Sequence, residues 1–249
     1  MRNIWTIAKR EYNHYFISPI AYVVAFIILI TLGIYFTYII GIVTQQALFG
    51  GAQAPDITPI NWLFVFLLVF TTPAVTMRSL SEEARTGTLE LLLTAPIRDF
   101  ELIVGKWLGG FLFILSILAV TLVYPIILNN LVTPGIDQQL MISSYLGVVL
   151  VAASFLALGV GISAIFTNQI AAFFATFGLF FTMWFMMGLF ANLVQGNGSA
   201  VFQYLNISAH FTDNLNAGSI KLSDLIYFFS LIALGLFTGT TAVEIRRWR

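Results

Sequence analysis

The chain has 249 residues, of which 59% are hydrophobic and only 9% are charged, with 11 acidic and 11 basic side chains. A soluble domain carries roughly 25% charged residues, so this composition excludes a soluble fold and predicts a membrane protein. The absence of cysteine excludes disulfides and thiol chemistry. The two histidines, His14 and His210, have no neighbours at ligand spacing, so no metal site is expected.

Residues 1–17 predict an amphipathic helix that lies in the membrane interface as an elbow before the first span. At about 100° per residue, the apolar side carries Ile4, Trp5, Ala8, Tyr12, Tyr15 and Phe16. The candidate interfacial residues are Arg2, Trp5, Lys9 and Arg10. Glu11 falls near the edge of the apolar sector, a position that an interfacial helix does not explain. Anchoring to anionic lipid through the basic side is the simplest role for such a helix.

Six apolar stretches are long enough to cross a bilayer, which needs about 20 residues each. They are 20–43, 60–77, 107–128, 145–166, 170–194 and 225–243. None of these stretches contains Asp, Glu, Lys or Arg. Glu244 follows directly after the last one. The sequence therefore predicts an all-α integral membrane protein with six transmembrane helices in one domain.

The basic residues lie almost entirely on one side of these spans. By alternation, both termini, the connection 78–106 and the turn Thr167–Gln169 share a side, and ten of the eleven Lys and Arg residues fall there. The opposite side holds only Lys221. Because basic residues concentrate on the cytoplasmic side of membrane proteins, both termini are predicted to be cytoplasmic.

A charged stretch, RSLSEEARTGTLELLLTAPI, interrupts the apolar sequence after the second span. Ser79 and Glu82 have the spacing of a capping box, and Gly87 then interrupts the helix before Pro96 ends it. The pattern predicts a short helix over 79–93, too charged to span the membrane. It is either a solvated loop with its leucines on the membrane surface or a helix that docks on a cytoplasmic partner.

The second half of the chain offers packing motifs rather than chemistry. Small residues in the fourth span, Gly159, Gly161 and Ser163, indicate close helix packing. A serine protease built on Ser163 would need a histidine base within reach, and neither His14 nor His210 is well placed. The segment 195–224 predicts short re-entrant or interfacial helices on the outer side.

These stretches together resemble the permease subunit of type 2 ABC transporters, and within that class the gliding-motility and nitrous-oxide-reductase-maturation permeases. The most specific match is PAVTMRSLSEEARTGTLELLLTAPI, which looks like the coupling-helix motif of the family. Weaker matches are WTIAKREYNHYFISPIAY to the elbow helix, ALGVGISAIFTNQIAAFF to the fourth-to-fifth hairpin, and GSIKLSDLIYFFSLIALGLF to the entry of the last span.

The resemblance implies an exporter-like subunit of a bacterial or archaeal plasma membrane, paired with a second permease copy or paralogue. A separate cytoplasmic P-loop ATPase would bind ATP and Mg²⁺, with no cofactor on this chain and no nucleic-acid partner. The residues expected to contact that ATPase are Glu82, Glu83, Arg85, Gly87, Thr88, Glu90 and Leu92. The residues alone agree, because the chain lacks G-x-x-x-x-G-K-[ST] and its spans lack the ionisable groups of ion-driven carriers.

Two further questions stay open at this point. A membrane anchor or a channel is the alternative function, since six apolar spans can simply hold a complex in the membrane. The candidate pathway residues in the second and fifth spans are Phe66, Phe70, Phe177 and Phe181. The expected mechanism is alternating access or lateral extrusion driven by closure of the ATPase. The uncharged spans favour a lipid-linked, amphipathic or otherwise poorly hydrated substrate.

Overall fold

A computed structural model describes residues 2–49, 56–88, 97–132, 135–194 and 197–247, and every regular element among them is helical. The helices are α1 Arg2–Tyr15, α2 Pro19–Leu48, α3 Thr58–Thr76, α4 Ser81–Thr86, α5 Asp99–Thr121, α6 Val123–Leu131, α7 Gln138–Ile165, α8 Gln169–Phe181, α9 Met187–Leu193, α10 Asn197–Leu205, α11 Ile207–Ala209 and α12 Leu222–Arg247. Two π-helical turns occur, at Thr182–Met186 between α8 and α9 and at His210–Asn214 after α11.

Six helical stretches are long and apolar enough to cross a membrane, which confirms the six predicted spans. The first is α2, the second α3, the third α5 with α6, the fourth α7, the fifth α8 with α9, and the sixth α12. Several begin well before the apolar run does: the third begins at Asp99 rather than 107, and the fourth at Gln138 rather than 145. A membrane helix can extend beyond the hydrocarbon core, because its polar side chains and its terminal backbone groups are then in contact with water or headgroups.

The fourth span lies at the centre of the bundle. In its most apolar window 83% of the residues are buried, against 22% for the first and fifth spans. The sixth span crosses it at backbone contact: a Cβ added at Gly235 would lie 2.4 Å from the Ala157 carbonyl carbon. The Ser154 hydroxyl donates to the carbonyl of Phe228 across the same contact, at 3.2 Å. Small residues thus allow the two helices to pack without intervening side chains.

Both described ends of the chain lie at one end of the bundle, called here the basic end. Asn3 donates to Glu101 at 3.0 Å, and Arg247 lies 2.8 Å from Asp99, so α1 and the sixth span both meet the start of the third. Arg246 donates to the carbonyl of Ile165 at the end of the fourth span. The shared position of the described ends, Arg2 and Arg247, is compatible with the predicted alternation, while the assignment of that end to the cytoplasm stays a prediction.

The opposite end is covered by the short helices before the sixth span. His210 Nδ1 lies 2.7 Å from Asp224 Oδ1, and His210 Nε2 lies 2.9 Å from the carbonyl oxygen of Tyr204. The His210 ring thus bridges the side chain of Asp224 and the backbone of Tyr204. The pair is buried and fastens residues 204–214 to the start of the sixth span.

Candidate functional site

The helix α4 begins with help from the fourth span rather than from its own sequence. The predicted capping box of Ser79 and Glu82 is wrong, because Leu80 occupies the N-cap position and no side chain caps the helix from within the segment. Instead the Ser163 hydroxyl accepts hydrogen bonds from the backbone N–H groups of Leu80 and Ser81, at 3.1 and 3.2 Å. Ser163 is fully buried, so this contact supplies acceptors that a helix N-terminus otherwise lacks.

The helix ends at a glycine. Gly87 has φ of 75°, the left-handed conformation that favours glycine at a helix C-terminus. The hydroxyls of Thr86 and Thr88, on either side of this glycine, lie 3.0 Å apart. Described α4 is thus six residues long, and residues 89–93 of the predicted helix, with Glu90 and Leu92, lie outside the described residues.

A charged cluster connects α4 to two other elements. The side chain of Lys106, in the third span, is only 1% exposed, and its Nζ lies 2.8 Å from Glu83 Oε1 and 3.0 Å from Glu11 Oε1. Arg10 completes the cluster at 3.1 Å from Glu11. Two cations and two carboxylates balance, as a buried charge requires if it is to be tolerated. Through Lys106, the third span holds α4 and α1 at the same point.

Glu11 therefore lies at the centre of the packed face of α1. Burial alone would raise the pKa of Glu11, but the Lys106 ammonium and the Arg10 guanidinium lower it below its ordinary value. The face that packs on the third span runs through Ile4, Ile7, Ala8, Glu11, Tyr12 and Tyr15. The predicted apolar side was rotated, since Trp5 and Phe16 are 58% and 42% exposed.

Glycines in the third span make this contact possible. A Cβ at Gly105 would lie 2.7 Å from the Ile7 side chain, and one at Gly109 would lie 2.6 Å from Glu11 Cβ. Further along, the Tyr12 and Ser116 hydroxyls are 2.9 Å apart. Contacts from Asn3–Glu101 to Tyr12–Ser116 show that α1 runs alongside the third span in the same direction.

An apolar cluster lies beneath the charged one and joins five elements at the basic end. Its buried members are Ile7, Leu80, Leu102, Ile103, Val160, Ala164 and Val243. They come from α1, the residue before α4, and the third, fourth and sixth spans. Leu80 and the partly buried Ala84 thus place the inner face of α4 on the bundle.

The candidate docking residues divide between the two faces of α4. Glu83 points inward to Lys106, whereas Arg85, Gly87 and Thr88 are exposed and Glu82 is partly exposed. A cavity of about 610 Å³ opens between α4, α1 and the adjoining ends of the first and second spans. Its lining includes Glu82. The outer face of α4 and this cavity are therefore the accessible parts of the site.

The candidate interfacial residues of α1 also divide. Trp5, Lys9 and Arg10 are all exposed, and among the described residues only Arg10 of these three has an ion-pair partner, Glu11. The side chain of Arg2 lies outside the described residues.

The small residues of the fourth span each meet a different element. A Cβ at Gly159 would lie 2.5 Å from the Thr76 hydroxyl of the second span, and one at Gly161 would lie 2.5 Å from the carbonyl oxygen of Gly235. Ser163, one helical turn after Gly159, caps α4. The capping role was missed because a partner more than eighty positions away leaves no local signal.

The candidate pathway phenylalanines form one aromatic surface on the second and fifth spans. Ring centroids are 5.2 Å apart for Phe66 and Phe70, 5.5 Å for Phe70 and Phe177, and 5.9 Å for Phe177 and Phe181. Phe185 closes the circuit, at 4.9 Å from Phe181 and 6.1 Å from Phe66. Phe70 and Phe181 are 40% and 37% exposed, so the surface is partly uncovered.

Comparison with known proteins gives one family. The family model described as ABC-2 family transporter protein matches residues 5–234, from α1 into the sixth span. No curated protein matches the chain at a significant level.

Proposed function

The chain belongs to the ABC-2 transporter family, so it is a multi-pass membrane subunit of an ABC transporter, and from that premise we propose that it is the permease of an ATP-driven exporter. A separate P-loop ATPase chain binds ATP with Mg²⁺ and hydrolyses the ATP. The basic end faces the cytoplasm of a bacterial or archaeal cell, where that ATPase binds, and the complex lies in the plasma membrane.

The observation that carries this proposal is the way α4 is held. Its inner face is fixed to the bundle through Leu80, Ser163 and Lys106, while Arg85, Gly87 and Thr88 are exposed at the basic end. A short helix with a fixed base and an open face is suited to docking on a partner. In this arrangement Arg85 and Thr88 contact the ATPase, with Glu82 beside them.

Movement of the ATPase would then reach the bundle by two routes. One runs from the N-terminus of α4 through Ser163 into the fourth span, and from there into the sixth. The other runs from Glu83 through Lys106 into the third span and through Glu11 into α1. Glu83 is accordingly a positioning residue for α4 rather than an ATPase contact.

A second permease copy or paralogue pairs with this chain through the aromatic surface of the second and fifth spans. Partly exposed rings such as Phe70 and Phe181 give a large, rigid contact area of the kind enriched at interfaces. The substrate then passes along or beside this surface, and its uncharged walls favour a poorly hydrated, amphipathic cargo.

The test is to purify the tagged full-length chain in mild detergent with its co-purifying proteins and to assay ATP hydrolysis. A stoichiometric P-loop ATPase is expected, and Arg85→Glu should release it because the charge on the open face of α4 is reversed. Lys221→Glu, on the opposite end of the bundle, is the matched control and should retain it. Both variants should elute as single, folded species.

Two results would overturn the proposal. A chain that purifies without any nucleotide-binding protein would favour the membrane anchor or channel. If the ATPase stays bound to Arg85→Glu as it does to the unaltered chain, its docking surface does not lie on the outer face of α4.

A further inference from the structure

A second groove of about 530 Å³ lies on the outside of the bundle, between the outer side of α1 and the third span. It is separate from the α4 site, since Lys106, Glu11 and Glu83 line the other cavity and not this one. One wall comes from α1 and carries Trp5, Lys9 and Asn13. The other comes from the third span and carries Leu112, Leu115 and Ala119.

The α1 wall presents polar donors that are not used within the protein. Among the described residues, the side chains of Lys9, Asn13 and Trp5 have no hydrogen bond or ion pair. Lys9 differs in this from its neighbour Arg10, whose charge is met by Glu11. The groove therefore carries one cation without a counter-ion, beside an indole N–H and an amide.

The span wall is mostly hydrocarbon. Leu112, Leu115 and Ala119 recur at helical spacing, and the rise from the first to the last is about 10 Å. The hydroxyl of Ser116, on the same wall, is already bonded to Tyr12, so it makes no polar demand on a ligand. This wall belongs to the stretch Asp99–Leu131, which is long and apolar enough to cross a membrane.

We propose that this groove binds one anionic glycerophospholipid from the leaflet at the basic end. The lipid phosphate lies against Lys9, with the Trp5 indole N–H as a donor, and the start of an acyl chain lies along Leu112, Leu115 and Ala119. The uncompensated charge of Lys9 selects an anionic headgroup over a zwitterionic one. Trp5 is placed as tryptophan commonly is at headgroup level. The site is a defined, stoichiometric one, in contrast to general anchoring of α1.

The experiment uses the full-length chain in mild detergent with an equal mixture of phosphatidylglycerol and phosphatidylcholine, and counts retained lipids by native mass spectrometry. One phosphatidylglycerol per chain is expected to survive at collision energies that remove phosphatidylcholine. Lys9→Gln should lower its retention roughly fivefold, the effect of one basic residue near an anionic headgroup. Lys221→Gln, on the opposite end, is the control and should have no effect.

A second variant tests the acyl-chain wall without touching charge. Ala119 is exposed on the third span, so Ala119→Phe should fold while its ring fills the groove and displaces lipid of either headgroup. Equal retention of phosphatidylglycerol in the unaltered chain, Lys9→Gln and Ala119→Phe would overturn the proposal and leave only a non-specific lipid shell. Neither measurement requires the ATPase, so this result is independent of the transport proposal.

Discussion

Lys106 illustrates how one buried charge can organise a site. Its ammonium has a carboxylate on each of two elements, and neither partner is close to it in the sequence. Removal of one member of a buried charge group is usually far more damaging than replacement of the whole group, because it leaves the other charges unpaired. The two carboxylates of this cluster keep 15% and 20% exposure, which moderates that penalty.

Lys106→Met is therefore expected to lower the free energy of unfolding by about 2–3 kcal/mol, somewhat below the range for fully buried pairs. The measurement is thermal unfolding of the purified chain in detergent. Lys221→Met, which removes an exposed lysine bonded to Asn214, should change little. Adding Glu83→Gln to Lys106→Met should restore part of the loss, and an unchanged melting temperature in Lys106→Met would contradict the role assigned to the cluster.

The lowered pKa of Glu11 predicts that the stability of the fold depends on pH. Its pKa is lowered in the folded protein, so the stabilisation from its paired carboxylate is present above the ordinary value of 4.5 and is lost as the pH falls through the lowered pKa. Melting temperatures recorded from neutral pH to below that value should therefore fall. Glu11→Gln should be less stable at neutral pH and should show a shallower fall. Parallel curves for the two proteins would contradict this assignment.

At the scale of elements, α4 is too short to be stable alone, since isolated helices below about 12 residues are marginal in water. Its position depends on Ser163, Lys106 and the apolar cluster under it. The charges and Gly87 predicted a short helix over 79–93, and described α4 covers Ser81–Thr86 of that range. The sequence did not identify the supports, because Ser163 and Lys106 act across the fold and their partners are visible only once the spans are packed.

Ser163→Ala tests the cap. Two backbone N–H groups, of Leu80 and Ser81, lose their acceptor in a buried place, which should cost about 1–2 kcal/mol locally. Hydrogen exchange of the amides of residues 80–84 should accelerate. Ser143→Ala is the matched control in the same span, because that hydroxyl bonds only within its own helix, to the carbonyl of Leu140. Equal exchange rates in the two variants would exclude Ser163 as the cap.

Gly87→Ala tests the end of the same helix. A Cβ there would touch nothing, so the expected penalty of about 1 kcal/mol comes only from the left-handed backbone. Gly178→Ala, in the regular helix α8 and also in open space, should be neutral or slightly stabilising. Thermal unfolding of both variants separates backbone strain from steric contact. A neutral Gly87→Ala would mean that the turn is not held in this conformation.

At the scale of the whole molecule, the number and approximate position of the six spans followed from the length of the apolar runs alone. The packing order did not follow, because a uniformly apolar helix carries no sign of which side faces lipid. Gly159 and Gly161 indicated close packing, yet nothing in the sequence named Thr76 and Gly235 as the partners. The rotation of α1 was missed for a related reason: Glu11 belongs on the packed face only because Lys106 lies opposite.

Gly235→Ala is expected to be destabilising by about 1–3 kcal/mol, since its methyl group would meet the backbone of Ala157 and the two central helices would have to separate. Gly41→Ala, in the peripheral first span with nothing near its Cβ, is the control and should be tolerated. The measurement is the melting temperature of each variant in detergent, which should fall for Gly235→Ala and stay unchanged for Gly41→Ala. Equal tolerance at both positions would contradict the close crossing.

The contact between the fourth and sixth spans also constrains how the protein is made. The sixth span is the last of the six to leave the ribosome, after the fifth span and the segment that precedes α12. Until then the face of the fourth span that carries Ser154, Ala157 and Gly161 has no helix packed on it and must be covered by lipid or by the insertion machinery. A chain cut short before Leu222 would keep five membrane helices and leave its most buried helix uncovered on one face, which makes such fragments natural targets for membrane quality control.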